Sequence, residues 1–341
     1  MQTIYFVIGP HRSGTSLVTS LLADTVGELP NNLMRPALSN QKGFQESWSV
    51  VNVNDLILKE MGLKWDSPEP TNSEINKSSF KDKFKEVCKK CISSCFKDLN
   101  KNLVLKDPRF CKTFPVWGSV VKSMGFKIKI IIPVRKPLDV MKSLIKRDRL
   151  TPEHACLIWY WNILEAIVHT RGTNSKFIFY DELLNHSQQH FNEVLGIEIS
   201  SETAKKIDFN LNHAREFVFD LNLNFEPFNT ANVLYERILK NTTPPEDLID
   251  DLKSRYFFSL SQKFFYNTKN KSKERYLLKV IKELSGCKVK ENRLLMNQSL
   301  CYNSESPSFY EVLLKNKDLE MGLISKIFRR LKKLKNFFIK S

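Results

Sequence analysis

The chain has 341 residues, of which 42% are hydrophobic and 26% charged, proportions that belong to a globular protein and exclude a largely disordered one. Lys and Arg number 53 against 37 Asp and Glu, a net charge of +16, so the surface attracts anions: nucleotides, nucleic acid, acidic glycans or anionic lipid. The apolar runs at the strands, such as Ile4 to Ile8 and Ile130 to Ile132, fall far short of the roughly 20 residues of a membrane-spanning helix, and seven cysteines do not make a disulfide scaffold.

Taken in chain order, Ile4 to Ile8 is short, continuous and rich in β-branched and aromatic residues, the pattern of a buried strand. Met1-Gln2-Thr3 leaves no room in front of it for a secretory signal. With the odd number of cysteines, this gives a reducing, cytoplasmic setting as the expectation. Gly9-Pro10-His11-Arg12-Ser13-Gly14 breaks the strand, and Leu17, Val18, Leu21 and Leu22 follow at helical spacing. Phe80 to Leu99 has an apolar stripe of helical period. Leu103-Val104-Leu105 is a second strand. Ile128 to Val134 is a third, stopped at Lys136-Pro137. Leu138 to Leu150 and Ala155 to His169 are predicted helices, and Phe177 to Tyr180 a fourth strand. Strands alternating with helices predict an α/β fold of three layers and P-loop type, its central parallel sheet flanked by helices. That domain is assigned residues 1–250. Residues 251–341 are assigned to a basic helical extension ending in an amphipathic helix.

Gly9, Pro10, His11, Arg12, Ser13, Gly14, Thr15 and Ser16 lie between a strand and a helix. In that position successive backbone N–H groups wrap an anion, and the helix N-terminus adds partial positive charge. The Lys that reaches the outer phosphates of a triphosphate is replaced by Thr15, and the loop's cation is Arg12. A shorter anion is therefore expected. Where the third strand ends, Arg135 stands at its end, Pro137 suits a first helical turn, and Ser143 lies two turns into the helix; taken alone this is either a second phosphate grip or a solvated arginine with a surface serine, the latter being the simpler reading.

Together the two loops resemble the 5′-phosphosulfate and 3′-phosphate motifs of sulfotransferases that use 3′-phosphoadenosine 5′-phosphosulfate (PAPS). The resemblance extends to bacterial members of the family and to carbohydrate and protein-tyrosine sulfotransferases, and covers about Ile4 to Tyr235. Gly43-Phe44-Gln45-Glu46 with Val51-Asn52-Val53-Asn54-Asp55 is similar to the segment after the first helix in bacterial members. Leu105-Lys106-Asp107-Pro108-Arg109 is similar to their Lys-Asp-Pro motif, and Tyr180-Asp181-Glu182-Leu183-Leu184 to the segment beside the adenine. The resemblance implies PAPS as cofactor and no metal. It gives Arg12 and Lys106 as the cations at the transferring group and Glu46 as the base, with an ion pair to Asp107 or a nearby acid as the alternative for Lys106 and a capping role near Ser47 as the alternative for Glu46. It places Tyr180 at the adenine edge, against the alternative of a core tyrosine. Arg109 is expected to be structural. The Gly- and Lys-rich loop that closes over the 3′-phosphate in cytosolic members is absent, and His213 and Arg215 are candidates to replace it. A glycan or glycolipid hydroxyl is the acceptor that the family suggests.

Other features have simpler expected roles. Cys88, Cys91 and Cys95 fall on the apolar stripe of their helix, as small buried hydrophobes rather than metal ligands. Trp159-Tyr160-Trp161 lacks the interleaved basic residues of a nucleic-acid platform, and no nucleic-acid partner is expected. From Leu323 onward there are seven basic residues and no acidic one, with Ile324, Ile327, Phe328, Leu331 and Leu334 on one helical face. Such a helix suits either an anionic membrane surface or docking on its own domain. The competing functions are a nucleotide or small-molecule kinase and a membrane-surface adaptor.

Overall fold

The computed structural model describes residues 1–36, 43–205, 207 and 226–241. The expectations for His213, Arg215 and the extension 251–341, including the basic helix at 323–341, fall outside the described residues.

Four parallel strands form the sheet among the described residues: β1 (Thr3–Val7), β2 (Leu103–Lys106), β3 (Lys127–Val134) and β4 (Ser175–Phe179), in the order β2-β1-β3-β4. Both faces are covered, as expected of parallel strands with continuous apolar runs. On one face Tyr5 and Val7 pack with Val18, Leu21 and Leu22 of α1 (Thr15–Ala23), and with Leu183 and Leu184 of α7 (Tyr180–Asn185). On the other, the Phe6 ring meets Phe110 at 5.2 Å and Phe114 at 5.4 Å, both on α4 (Phe110–Ser123). The result is the three-layer α/β arrangement expected from the sequence.

The remaining helices are α2 (Trp48–Glu60), α3 (Ser78–Cys95), α5 (Pro137–Asp148), α6 (Pro152–His169), α8 (Ser187–Leu195), α9 (Ser201–Ala204) and α10 (Glu226–Asn241). None of the described helices is long and apolar enough to cross a membrane. The chain leaves β1 toward β2 on one side and β3 toward β4 on the other. The C-terminal ends of β1 and β3, adjacent in the sheet, therefore flank the crevice where open α/β sheets bind ligands.

Several boundaries shift from the sequence reading, two of them with a clear local consequence. Helix α3 stops at Cys95 instead of Leu99, because Phe96 turns into extended backbone and the Asp98 carboxylate accepts from the Asn100 amide at 2.8 Å, a local bond that competes with helix. Tyr180 opens α7 instead of closing β4. Helix α4 was not expected. Pro115 lies inside α4 and cannot donate to the carbonyl of Cys111 four residues before it. That carbonyl accepts instead from His169 Nδ1 at 3.0 Å. Cys88, Cys91 and Cys95 are buried along α3 with free thiols.

Candidate active site

The first loop turns on two left-handed residues, Arg12 at φ 68° and Gly14 at φ 89°. Alternation of this kind points consecutive amides inward, a concavity that suits an anion. Gly14 is required twice over. Its φ disfavours an L side chain, and a Cβ there would lie 2.3 Å from Cδ2 of Tyr180. Ser13 is fully buried with its hydroxyl donating to the Pro10 carbonyl at 2.7 Å, which braces the turn. Helix α1 begins at Thr15 with no side-chain cap and no acidic residue in its first turn, leaving its N-terminal dipole directed at the loop.

The second loop meets the first directly. Arg12 Nε donates to Ser143 Oγ at 2.7 Å, and Arg135 Nη1 donates to the Arg12 carbonyl at 3.3 Å. The Arg135 guanidinium stacks over the Tyr180 ring at 4.4 Å, so Tyr180 is wedged between Gly14 and Arg135. Its ring shapes the loop, as a packing tyrosine would, while standing where the two anion loops join. Asp139, Ser143 and Arg147 follow Arg135 at intervals of four along α5, one face of the helix. Arg135 Nε lies 3.8 Å from Asp139, and the Arg147 guanidinium lies 5.6 Å from the Trp65 ring.

Lys106 ends β2 beside Val7, the register that brings it to the loop. It is 3% exposed and forms a buried ion pair with Glu46, which is 5% exposed. Its ammonium also donates to the Phe44 carbonyl at 2.9 Å, which accepts from Ser16 Oγ at 3.0 Å. The segment containing Glu46 is thus tied to both the first loop and β2. Helix α2 is capped by Ser47, whose Oγ accepts from the Val50 amide at 3.4 Å. Glu46 therefore pairs with Lys106, and the capping belongs to its neighbour. Burial pushes the Glu46 carboxyl above its ordinary pKa, against the opposing pull of Lys106. Arg109 donates to Asp55 at 2.8 Å and to Asp107 at 3.1 Å, and lies 3.8 Å from Glu46.

The electrostatics favour an incoming anion. The Arg12 guanidinium is pulled down to about 10 by burial first, then by Arg147 and Arg135. A cation crowded by like charge and out of water gains most when an anion arrives. Lys106, Arg109, Arg135 and Arg147 each have a carboxylate within 4 Å. The Ser143 hydroxyl orients the Arg12 guanidinium and keeps its own hydrogen to donate.

The sequence-derived set from Gly9 to Ser16, with Glu46, Lys106, Arg135, Ser143 and Tyr180, is brought together at the ends of β1, β2 and β3. Trp65 and Arg147 adjoin it and were missed. The four-residue spacing of Arg135, Asp139, Ser143 and Arg147 was a readable signal for Arg147. Trp65 had none, since only folding brings it to the loop.

No family model matches the chain, and no curated protein matches it. Several solved structures align with it. The sulfotransferase domain of a Synechococcus olefin synthase is 15% identical with a TM-score of 0.41, covering 68% of this chain and 94% of its own. The sulfotransferase domain of the curacin biosynthetic pathway is 17% identical with a TM-score of 0.35, covering 74% and 90%. A sulfotransferase from Mycobacterium avium is 15% identical with a TM-score of 0.39, covering 72% and 78%. Likeness of this extent carries no weight for function, which rests on the residues of the site itself.

Proposed function

We propose that the protein transfers a sulfuryl group from PAPS to an acceptor hydroxyl, on a glycan or on a lipid-linked saccharide. The observation that carries this reading is the junction of two short anion sites, Arg12 Nε bonded to Ser143 Oγ and Arg135 bonded to the Arg12 carbonyl. One phosphosulfate and one separate 3′-phosphate fit such a pair, while a loop with Thr15 where a triphosphate cradle has Lys does not favour ATP.

The residues suit the cofactor. The amides of the first loop and the N-terminus of α1 would hold the 5′-phosphosulfate. Arg135 and the free hydrogen of Ser143 would hold the 3′-phosphate, and Tyr180 would border the adenine. Bound there, PAPS supplies the sulfuryl group and a phosphate leaving group. Arg12 and Lys106 face the charge that grows on the leaving oxygen, a role in which protein cations lower the barrier of an in-line transfer. Glu46 takes the proton of the acceptor hydroxyl as its oxygen bonds to sulfur and the bond from sulfur to the phosphate oxygen breaks. Lys106 serves both charges, and its bond to the Phe44 carbonyl fixes it between them. In this reading the basic segment 323–341 would hold the protein at an anionic membrane surface, near a lipid-linked acceptor.

Calorimetry with 3′-phosphoadenosine 5′-phosphate, ATP and AMP tests the donor. A preference for the bisphosphate over AMP that disappears in Arg135→Ala supports the assignment. Tighter binding of ATP, or no preference at all, sinks it and favours the kinase.

A further inference from the structure

Sulfuryl transfer by Arg12, Lys106 and Glu46 leaves His11 without a task, yet its ring occupies a particular place. His11 is 8% exposed, and its Nε2 is buried with no hydrogen-bond partner among the described residues. The imidazole lies against the indole of Trp65, with centroids 4.8 Å apart and planes at 67°. Burial first, then the charges of Arg147, Arg109, Lys106 and Arg12, lower its pKa well below the ordinary histidine value, so the ring is neutral. A buried ring nitrogen without a partner is costly unless a ligand satisfies it. Nε2 of a neutral imidazole is a donor in one tautomer and an acceptor in the other. A hydroxyl satisfies either form, whereas an anion satisfies only the donor.

Trp65 supplies the apolar counterpart. It is half-buried and stands on a segment held in place by three side chains. Lys112 Nζ donates to the carbonyls of Ser67 and Glu69 at 2.6 and 2.7 Å. His154 Nε2 donates to the Asp66 carbonyl at 2.6 Å. Glu165 Oε1 accepts from the Thr71 amide at 2.5 Å. The indole is therefore pre-positioned beside the loop, and an aromatic wall with one convergent polar atom is the make-up of a small-molecule site.

We propose that His11 and Trp65 form an acceptor subsite for a saccharide ring, with Nε2 bonded to one of its hydroxyls and the indole packed on its apolar face. This subsite rests on the sulfuryl-transfer reading, in which it holds the acceptor whose hydroxyl Glu46 deprotonates.

The test uses the full chain, labelled with ¹⁵N-histidine and saturated with 3′-phosphoadenosine 5′-phosphate. The probes are the methyl glycosides of glucose, galactose and N-acetylglucosamine. At least one glycoside is expected to move the His11 Nε2 resonance. His11→Ala and Trp65→Ala should each weaken that glycoside about tenfold, and His11→Gln should stay within about threefold of the parent. Trp65→Ala should bind the bisphosphate as the parent does. If no glycoside moves the resonance, or if Trp65→Ala loses glycoside and bisphosphate in parallel, the subsite is overturned. If the parent itself does not bind the bisphosphate, the transfer reading fails separately. The glycoside titration without nucleotide then decides the subsite: a moved resonance supports it and an unmoved one removes it.

Discussion

Arg12 Nε and Ser143 Oγ are 2.7 Å apart, although 131 residues of chain separate them. This bond fixes the direction of the first loop's guanidinium from the second loop's helix. Ser143→Ala removes it, and a hydrogen bond to a charged group contributes roughly 1.5–3 kcal/mol. Affinity for 3′-phosphoadenosine 5′-phosphate should fall about ten- to a hundredfold. Ser143→Thr, which keeps the hydroxyl, should recover most of it. Calorimetry on the two variants checks this, and equal loss in both would point to packing on α5 as the cause.

Gly14 and Tyr180 make a steric pair. In Gly14→Ala the new methyl would lie 2.3 Å from the tyrosine ring, on a residue at φ 89°. The left-handed backbone costs about 1 kcal/mol or more and overpacking about 1–3 kcal/mol. Thermal unfolding should move down accordingly. Gly14→Ala combined with Tyr180→Ala should be less destabilised than the sum of the single variants, because the shorter side chain removes the clash. Strict additivity in the four melting curves would refute the contact.

The Lys106–Glu46 pair couples stability to turnover. Lys106→Met leaves a buried carboxylate without its cation, and breaking such a pair costs about 3–5 kcal/mol. Glu46→Gln keeps the shape and removes the base, so turnover should drop about 10²- to 10⁴-fold with bisphosphate binding kept. The pH dependence has a definite sign. Burial holds the Glu46 pKa above its ordinary value of 4.5 in the fold, so the acid limb of kcat/KM should lie above the usual carboxylate range. Over the same window the folded chain keeps a proton that the unfolded chain has lost, and Glu46 makes stability fall as pH rises. Glu46→Gln should abolish both trends.

The strand–loop–helix from Ile4 to Leu22 and the turn from Val134 into α5 were legible because buried parallel strands carry unbroken apolar runs and each is followed by a breaker. Helix α4 was hidden by Pro115, whose cost is met by His169 from another helix, a contact that spacing cannot show. Local pattern exposed the first loop, while the second gained its reading only beside the first. Glu46 came into view only through family resemblance, since nothing in Gly43-Phe44-Gln45-Glu46 announces an ion pair with a strand 60 residues away. Trp65 was invisible for the same reason, its place being set by Lys112, His154 and Glu165 from α4 and α6.

His11 gives a stability signature independent of any ligand. Its folded pKa lies well below 6.5, through burial and through Arg147, Arg109, Lys106 and Arg12. Below pH 6.5 the unfolded chain takes up a proton that the folded ring refuses, so the fold loses stability as pH falls, until the folded pKa is reached. The loss approaches about 1.4 kcal/mol for each pH unit below 6.5. His190 is displaced in the same direction by its own partial burial, so the comparison must be between the parent and His11→Asn. Urea unfolding near neutral pH and again below 6.5 should show the parent losing more stability than the variant. An equal loss in both proteins would mean that the imidazole charges inside the fold, and with that the neutral ring required by the acceptor subsite would be gone.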